Sequence, residues 1–455
     1  MPGTKETVER MNGSGIKWVN LHFIDIFGYV REITINRENV SPESLENGFE
    51  TNAISSIFNE DYSEGLILIP DLSTYVELPW VDRTARLFCR ISKKDGTRFL
   101  KDCIYATDRV KMNSEALGIG SIGIRQRLEF YIFDRYGVDR TYKEGGAAVT
   151  LGSKESKWNP NAPILENMNS TSFPNDLYNG MRQQIAQVYS QFFNYSIERH
   201  MHGKNSSSHQ SMEIKEMDFI SSAYAFTSFK QVVKTATFMN GISATFMPMP
   251  IPSEKGSGLE LEIGMKNEKG GNIFIGKGGA LSDNGNYFIG GILEHLKSIL
   301  VFTNPTTNSY KRFYVDPKFM TCGSSDKSNA IFIDTSMKEN TKIVLTFPDA
   351  TVNPFLAYSA VMAAGFDGIK KKTSPGEIVT ERPGTMGSKE RKKRKIEEFP
   401  RDIMSSIESL ENDIDFIKGT IAPEILVDYL EQKAKEQRMG SMIPNPYEFD
   451  EYFHL

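Results

Sequence analysis

Residues 123–134, GIRQRLEFYIFD, alternate with the period of a β-strand yet carry charge on one of the strand's two faces. On that period Arg125, Arg127, Glu129, Tyr131 and Phe133 share one face, and Ile124, Leu128, Phe130 and Ile132 share the other. The apolar face predicts packing against a core. The Arg127/Glu129 face predicts a polar cleft, and what that cleft holds decides the functional reading.

The chain has 455 residues, 39% of them hydrophobic, which is enough for a large core and for two or more domains. No apolar run approaches the ~20 residues needed to cross a bilayer. The opening MPGTKETVERMNGSG has neither the basic start nor the apolar middle of a signal peptide. The expectation is a soluble cytoplasmic protein with no membrane partner. Three cysteines, Cys89, Cys103 and Cys322, are too few and too scattered for a disulfide framework or a thiolate zinc site. A net charge of −5 with mixed signs gives no case for nucleic acid. The one dense basic run, KERKKRK at 389–395, stands in a Pro/Gly/Ser-containing stretch and reads as a solvated loop.

The texture along the chain is α+β. Residues 16 to about 100 read as short strands punctuated by Gly28, Pro70, Pro79 and Gly96. From about residue 104, strands are expected at 121–133, 194–202, 209–217, 243–249, 257–264, 329–334 and 342–348. Helices are expected at 175–193, 223–241, 286–304, 353–372, 400–412 and 422–437. Asn353 followed by Pro354 is an N-cap with proline at the first helical position. Two polar segments, 136–172 and 373–398, read as long loops. This division gives domains at 1–103 and 104–455.

Several strings now stand in a telling order: FIDIFGYVREI, LILIPDLSTYVELPW, RLEFYIF, ATFMPMPIPSEKGSGLELEIG, NPTTNSYKRF and FPDATVNPFLAYSAVMAAGFDGI. Together they resemble glutamine synthetase of type I, over essentially the whole chain. The resemblance implies an N-terminal β-grasp domain and a larger domain whose curved antiparallel sheet lines a funnel. It also implies a homo-oligomer of two stacked hexameric rings, a dodecamer, with each active site between ring neighbours. The family's reaction phosphorylates glutamate with ATP and lets ammonia displace the phosphate. Positioned positive charge, including two divalent cations, carries most of the barrier reduction in such chemistry, and these hard cations want carboxylate ligands.

Carried onto this sequence, the resemblance supplies those ligands only in part. Glu129 and Glu213 stand at two of the three glutamate positions of the first metal site, while the third reads Asn205. At the second site the three positions read Arg127, Glu260 and Val344. The positions that hold phosphates in the family read Lys327, Phe332, Lys342 and Thr346, with the GSG stretch around Ser257 as a weak phosphate signal. The flap glutamate has no counterpart, Lys318 being the nearest charged residue. Glu50 stands where an aspartate crosses to the neighbouring subunit's site. Arg312, the expected holder of the substrate carboxylate, is kept. The stretch 373–398, which aligns with the family's regulatory tyrosine loop, contains no tyrosine.

Read from the residues alone, His202 and His209 are hydrogen-bonded structural groups before they are metal ligands, and Glu64 is a loop carboxylate. Repulsion among Glu213, Glu260 and Glu262 calls for a cation beside them, either a metal or Arg127. An Arg127 ion-pair network with Glu260 and Glu129 is therefore expected. The first functional reading is a glutamine-synthetase-like pseudoenzyme, acting as scaffold, regulator or partner of an active paralogue, with no cofactor. The alternative is an ATP-dependent γ-glutamyl ligase for an amine other than ammonia, needing ATP and Mg²⁺ or Mn²⁺. A third is a sensor that holds a carboxylate ligand on Arg312 and Arg127.

Overall fold

The computed structural model describes residues 3–58, 65–138, 149–156, 159, 167–205, 208–252, 254–324, 326–334, 341–443, 445 and 448. Glu64 and much of the polar segment 136–172 lie outside them. The N-terminal part is a five-stranded sheet in the order β2-β1-β5-β4-β3, formed by β1 (Trp18–Ile24), β2 (Val30–Asn36), β3 (Phe49–Thr51), β4 (Leu66–Glu77) and β5 (Thr84–Lys93). Two short helices, α1 (Thr4–Gly13) and α2 (Pro42–Asn47), accompany it. β1 lies parallel to β5 and antiparallel to β2, so the two halves of the module meet in the sheet's centre.

The second sheet has nine strands in the order β16-β13-β14-β15-β12-β6-β10-β9, with β11 also on β6. Its members are β6 (Ile119–Phe133), β9 (Ile197–His202), β10 (His209–Asp218), β11 (Ser243–Thr245), β12 (Leu259–Asn267), β13 (Phe319–Gly323), β14 (Asn329–Asp334), β15 (Lys342–Leu345) and β16 (Ile378–Val379). A separate hairpin pairs β7 (Arg135–Val138) with β8 (Val149–Gly152). The helices are α3 (Ile104–Ala116), α4 (Asn179–Phe193), α5 (Phe219–Met239), α6 (Asp283–Glu294), α7 (Leu296–Thr303), α8 (Thr307–Val315), α9 (Pro354–Lys371), α10 (Ser388–Lys393), α11 (Ile403–Asn412) and α12 (Pro423–Met442).

The apolar face of β6 is buried as its alternation demands: Ile124, Leu128, Phe130 and Ile132 are all at most 1% exposed and share one core with α5 and α9. The polar member of that face, Gln126, is satisfied on both sides. Its amide donates to the Ser222 carbonyl at 2.8 Å and accepts from the Tyr358 hydroxyl at 2.8 Å. Contacts between the N-terminal part and the rest include Arg86 donating to Ser228, Lys101 paired with Asp428, and Phe27 stacked on Tyr429.

Several expectations about elements are corrected. The helix expected at 286–304 is two, α6 and α7, meeting at His295, whose ring is held by Asp367 and Asp413. The strand expected at 243–249 ends at Thr245, before Pro248 and Pro250, and that expected at 342–348 ends at Leu345, before Pro348. The segment 194–202 begins its strand only at Ile197, because Asn194 takes the left-handed conformation that closes α4. The expected loops carry structure: β7 and β8 in the first, β16 and α10 in the second.

Candidate functional site

The register of the large sheet builds a charge ladder. Arg199 on β9 stands opposite Glu213 on β10, Glu213 opposite Arg127 on β6, and Arg127 opposite Glu260 on β12. One row along, Arg125 on β6 stands opposite Glu262 on β12, which stands opposite Val344 on β15, itself opposite Phe332 on β14. Directly opposed side chains are close enough to interact, so each carboxylate finds a cation from the neighbouring strand. The result is a cleft of about 160 Å³ lined by Arg125, Arg127, Arg199, Glu213, Glu260, Glu262, Lys327, Phe332, Asp334 and Val344, with four cationic and four acidic side chains.

Arg127 is the centre of this network. Its guanidinium touches Glu260 Oε1 and lies 4.0 Å from Glu129 Oε1. Glu260 is also reached by Lys327 at 2.7 Å. Glu213, 4% exposed, takes Arg199 at 2.7 Å and Arg125 at 3.6 Å, and Arg125 extends to Glu262 at 3.7 Å. The ion-pair network that the sequence calls for is thus present. Its outer partners, Arg199 and Arg125, carry as much of it as Arg127. The signal for Arg199 lies in the period of IERHMH, which puts Arg199 and Met201 on one face, but only the β9–β10 register brings that face to Glu213.

Glu129 sits deeper. It accepts the Gly258 N–H at 2.9 Å and lies 3.8 Å from His209 Nε2. Burial alone would push the Glu129 carboxyl up, but the charges of His209, Arg127 and Lys204 and the Gly258 N–H outweigh it and hold it at about 2. Burial in turn pushes His209 down to about 4. The imidazole is therefore neutral at neutral pH, and Arg127, Lys204 and Gly258 keep Glu129 ionised there. His209 has no hydrogen-bond partner among the described residues, which corrects the expectation for it. His202 meets that expectation through Glu155 and the Gly203 carbonyl.

The remaining sequence-derived positions divide. Val344 lines the cleft, as does Phe332. Asn205 is turned away: its amide donates to the Tyr131 hydroxyl at 2.5 Å and to the Lys255 carbonyl. Thr346 donates to the Asn329 carbonyl at 2.6 Å. Lys342 is drawn to Glu216 and lines a separate cleft of about 240 Å³ with Gly123 and Gly264. Lys318 is buried, with its charged form disfavoured, and donates to the Lys327 carbonyl at 2.6 Å. Ser257 buries its hydroxyl without a hydrogen-bond partner among the described residues. Glu50 lies on exposed β3 with Lys94 at 2.5 Å. Arg312 is the clearest correction. Arg312 is 3% exposed and its two terminal nitrogens donate to the carbonyls of Ser257, Phe347 and Pro348, so it straps two chain segments together and leaves only its buried Nε without a partner among the described residues.

The donor set can be tested against a pair of hard divalent cations. Such ions need several oxygen ligands each. Around Arg127 and the aliphatic Val344 stand Glu260, Glu262 and Asp334, but Glu260 is already met by Arg127 and Lys327 and Glu262 by Arg125. Around Glu129 the set holds Glu129 and Glu213, the latter already taken by two arginines, with the Asn205 amide directed elsewhere. In this arrangement the residues do not fit a two-cation centre.

Comparison with known proteins gives the chain its relatives. The family model for the glutamine synthetase β-grasp domain matches residues 15–94, and that for the glutamine synthetase catalytic domain matches residues 106–452. Glutamine synthetase of Sulfolobus acidocaldarius is 29% identical over 99% of both chains. That of Pyrococcus horikoshii is 32% identical over 88% of this chain and 85% of its own. Among solved structures, Plasmodium falciparum glutamine synthetase superposes with a TM-score of 0.87 at 22% identity, covering 99% of each chain. Apo GmaS gives 0.83 at 20% identity over 98% of this chain and 99% of its own. The five-stranded sheet is the β-grasp module, the nine-stranded sheet is the curled sheet of the catalytic-type domain, and the chain belongs to the glutamine synthetase family.

Proposed function

We propose that this chain is a family member that no longer makes glutamine by two-cation phosphoryl transfer and serves as a non-catalytic, ring-forming partner or regulator. One observation carries the reading: the cleft neutralises its own carboxylates. Arg127, Arg125, Arg199 and Lys327 are interleaved with Glu213, Glu260, Glu262 and Asp334. A divalent cation entering there faces no net negative charge and a resident guanidinium that cannot give up its proton. The division into domains at 1–103 and 104–455, the stacked hexameric rings, and partnership with an active paralogue are parts of the same proposal.

A second reading has its own support. Glu129, Glu213, Glu260 and Glu262 all face this region, and the relatives are named glutamine synthetase, so an ATP-dependent γ-glutamyl ligase with a rebuilt metal site is the alternative. In that case Arg127 would have to swing aside to free Glu260 and Glu129.

Calorimetric titration of the full chain with ATP and Mg²⁺ or Mn²⁺, with and without glutamate, separates the two when phosphate release is followed in the same samples. The expected outcome is no metal-dependent nucleotide binding and no phosphate, with or without added amines. Amine-stimulated phosphate release would overturn the first reading. It would also make the paired Arg127→Glu and Val344→Glu variant a test of the second, since restored ligands should then raise the rate.

A further inference from the structure

A second polar cleft, lined by lysines, lies elsewhere and shares no residue with the charge ladder. It has a volume of about 810 Å³, within the range typical of small-molecule sites, and it runs between the β1–β2 hairpin and α5. Its apolar walls include Phe27, Phe226 and Phe246, and Lys230 and Lys234 stand one helical turn apart on α5.

One of these ammonium groups is half-buried and the other exposed. Lys230 Nζ donates to the Ala350 carbonyl at 2.7 Å and lies 5.4 and 5.5 Å from the ring centres of Phe226 and Phe246. Among the described residues Lys234 has no ion-pair or hydrogen-bond partner. The acids on the wall are already engaged: Glu32 by His22 and Asn20, and Glu436 by Lys433. A pair of like charges beside an aromatic floor, with the wall's acids already engaged, attracts an anion.

We propose that this cleft binds a small organic anion whose carboxylate or phosphate bridges Lys230 and Lys234 and whose apolar body lies on Phe27, Phe226 and Phe246. The electrostatics agree with the geometry. Burial first, and then the charge of Lys234, push Lys230 down to about 7, while Asp349 pulls the other way. The other titratable groups on the walls are His22, Glu32, Tyr29, Lys433 and Glu436. A bound anion favours the protonated amine, so just above that value binding takes up a proton.

The test is calorimetric titration of the full chain with phenyl phosphate, benzoate and inorganic phosphate, just above neutral pH, in two buffers of different ionisation enthalpy. The expected result is saturable binding of phenyl phosphate or benzoate, tighter than inorganic phosphate, with proton uptake. Comparison of the two aromatic probes tells a phosphate site from a carboxylate site. Lys234→Met, at an exposed position that folding tolerates, should weaken binding by roughly tenfold or more. Lys230→Met should abolish proton uptake, and Lys297→Met, on the far Glu397 pair, should change nothing. Absence of saturable binding by either aromatic anion, or unchanged affinity in Lys234→Met, would overturn the proposal whatever the fate of the Lys230 variant.

Discussion

A guanidinium among carboxylates differs from a metal ion in that it is covalently tethered and cannot be chelated away. If Arg127 is the cation that keeps Glu129, Glu213 and Glu260 together, Arg127→Ala leaves three acids with reduced compensation. Because the pair with Glu260 is partly buried, the loss should be about 1–3 kcal/mol of unfolding free energy, short of that for a fully buried pair. The variant, unlike the natural chain, should regain part of its melting temperature in Mn²⁺, because the freed carboxylates then form an oxygen donor set. Differential scanning fluorimetry with and without Mn²⁺ checks both statements, and equal metal responses of the two proteins would count against the substitution of arginine for metal. Acid should act on the same site in two stages. His209 and Glu129 both have folded-state pKa values below their ordinary ones, so each contributes stability above its unfolded pKa that is lost as pH falls. For His209 the window runs from about 6.5 down to about 4, and for Glu129 it runs from the ordinary glutamate range down to about 2. Urea midpoints measured from pH 7 downward should decline through both windows, and His209→Gln should flatten the upper one and narrow the lower, because the charge of His209 leads those that hold Glu129 down. Much of this site is legible in the sequence, because period-2 alternation alone puts Arg127 beside Glu129 and Glu260 beside Glu262. What is not legible is which strand faces which. Arg199 gains its meaning only from the β9–β10 register, and Arg312 loses its expected role because its surroundings are backbone carbonyls that no side-chain pattern reports.

At the scale of elements, one helix start adds its own tie between the N-terminal part and the rest. Asn353 caps α9 by accepting the Phe355 N–H at 3.1 Å, and its amide donates to the carbonyls of Asp25 and Ile26 at 3.1 and 3.2 Å. The hairpin can come this close because Gly28 has φ +85° and a Cβ there would lie 2.9 Å from the Asn353 Cα. Asn353→Ala should therefore cost more than the ~1 kcal/mol of a lost cap, about 2–3 kcal/mol, because two buried carbonyls also lose their donor. Asn353→Asp, which keeps the cap but not the donors, should fall between, and denaturant titration of the three proteins orders them. The start of α9 is readable from Asn-Pro in the sequence, as are the strands with strict alternation. The helices α1, α2, α3 and α8 escape such reading because they are short or lack a long apolar stripe, and tertiary packing defines them. The break at His295 escapes it too. The apolar pattern runs on through the residue, and only contacts with Asp367 and Asp413, distant in sequence, fix the bend.

For the whole molecule, the ring proposal makes a geometric demand on the N-terminal sheet. Glu50 on β3 and Lys94, just past the end of β5, are exposed and paired with each other at 2.5 Å, and among the described residues neither is directed to the chain's own cleft. At the cleft itself Arg199 and Lys327 remain 61% and 44% exposed, so one side of the ladder is open among the described residues. In a ring whose neighbours complete each other's clefts, the exposed edge of one N-terminal sheet approaches the open side of the next chain's ladder. Sedimentation should then give the mass of six or twelve chains. Amine-directed cross-linking of a mixture of ¹⁴N- and ¹⁵N-labelled protein, co-assembled from dissociated chains, should join Lys94 of one isotope to Lys327 of the other. Raising the salt should weaken the assembly, because both surfaces are charged and exposed charges are screened beyond about 10 Å at 0.1 M ionic strength. A monomer in sedimentation would defeat the ring, whereas a ring without mixed-isotope Lys94–Lys327 links would keep the assembly and remove Glu50 from the neighbour's cleft. The two parts of the proposal therefore stand or fall separately.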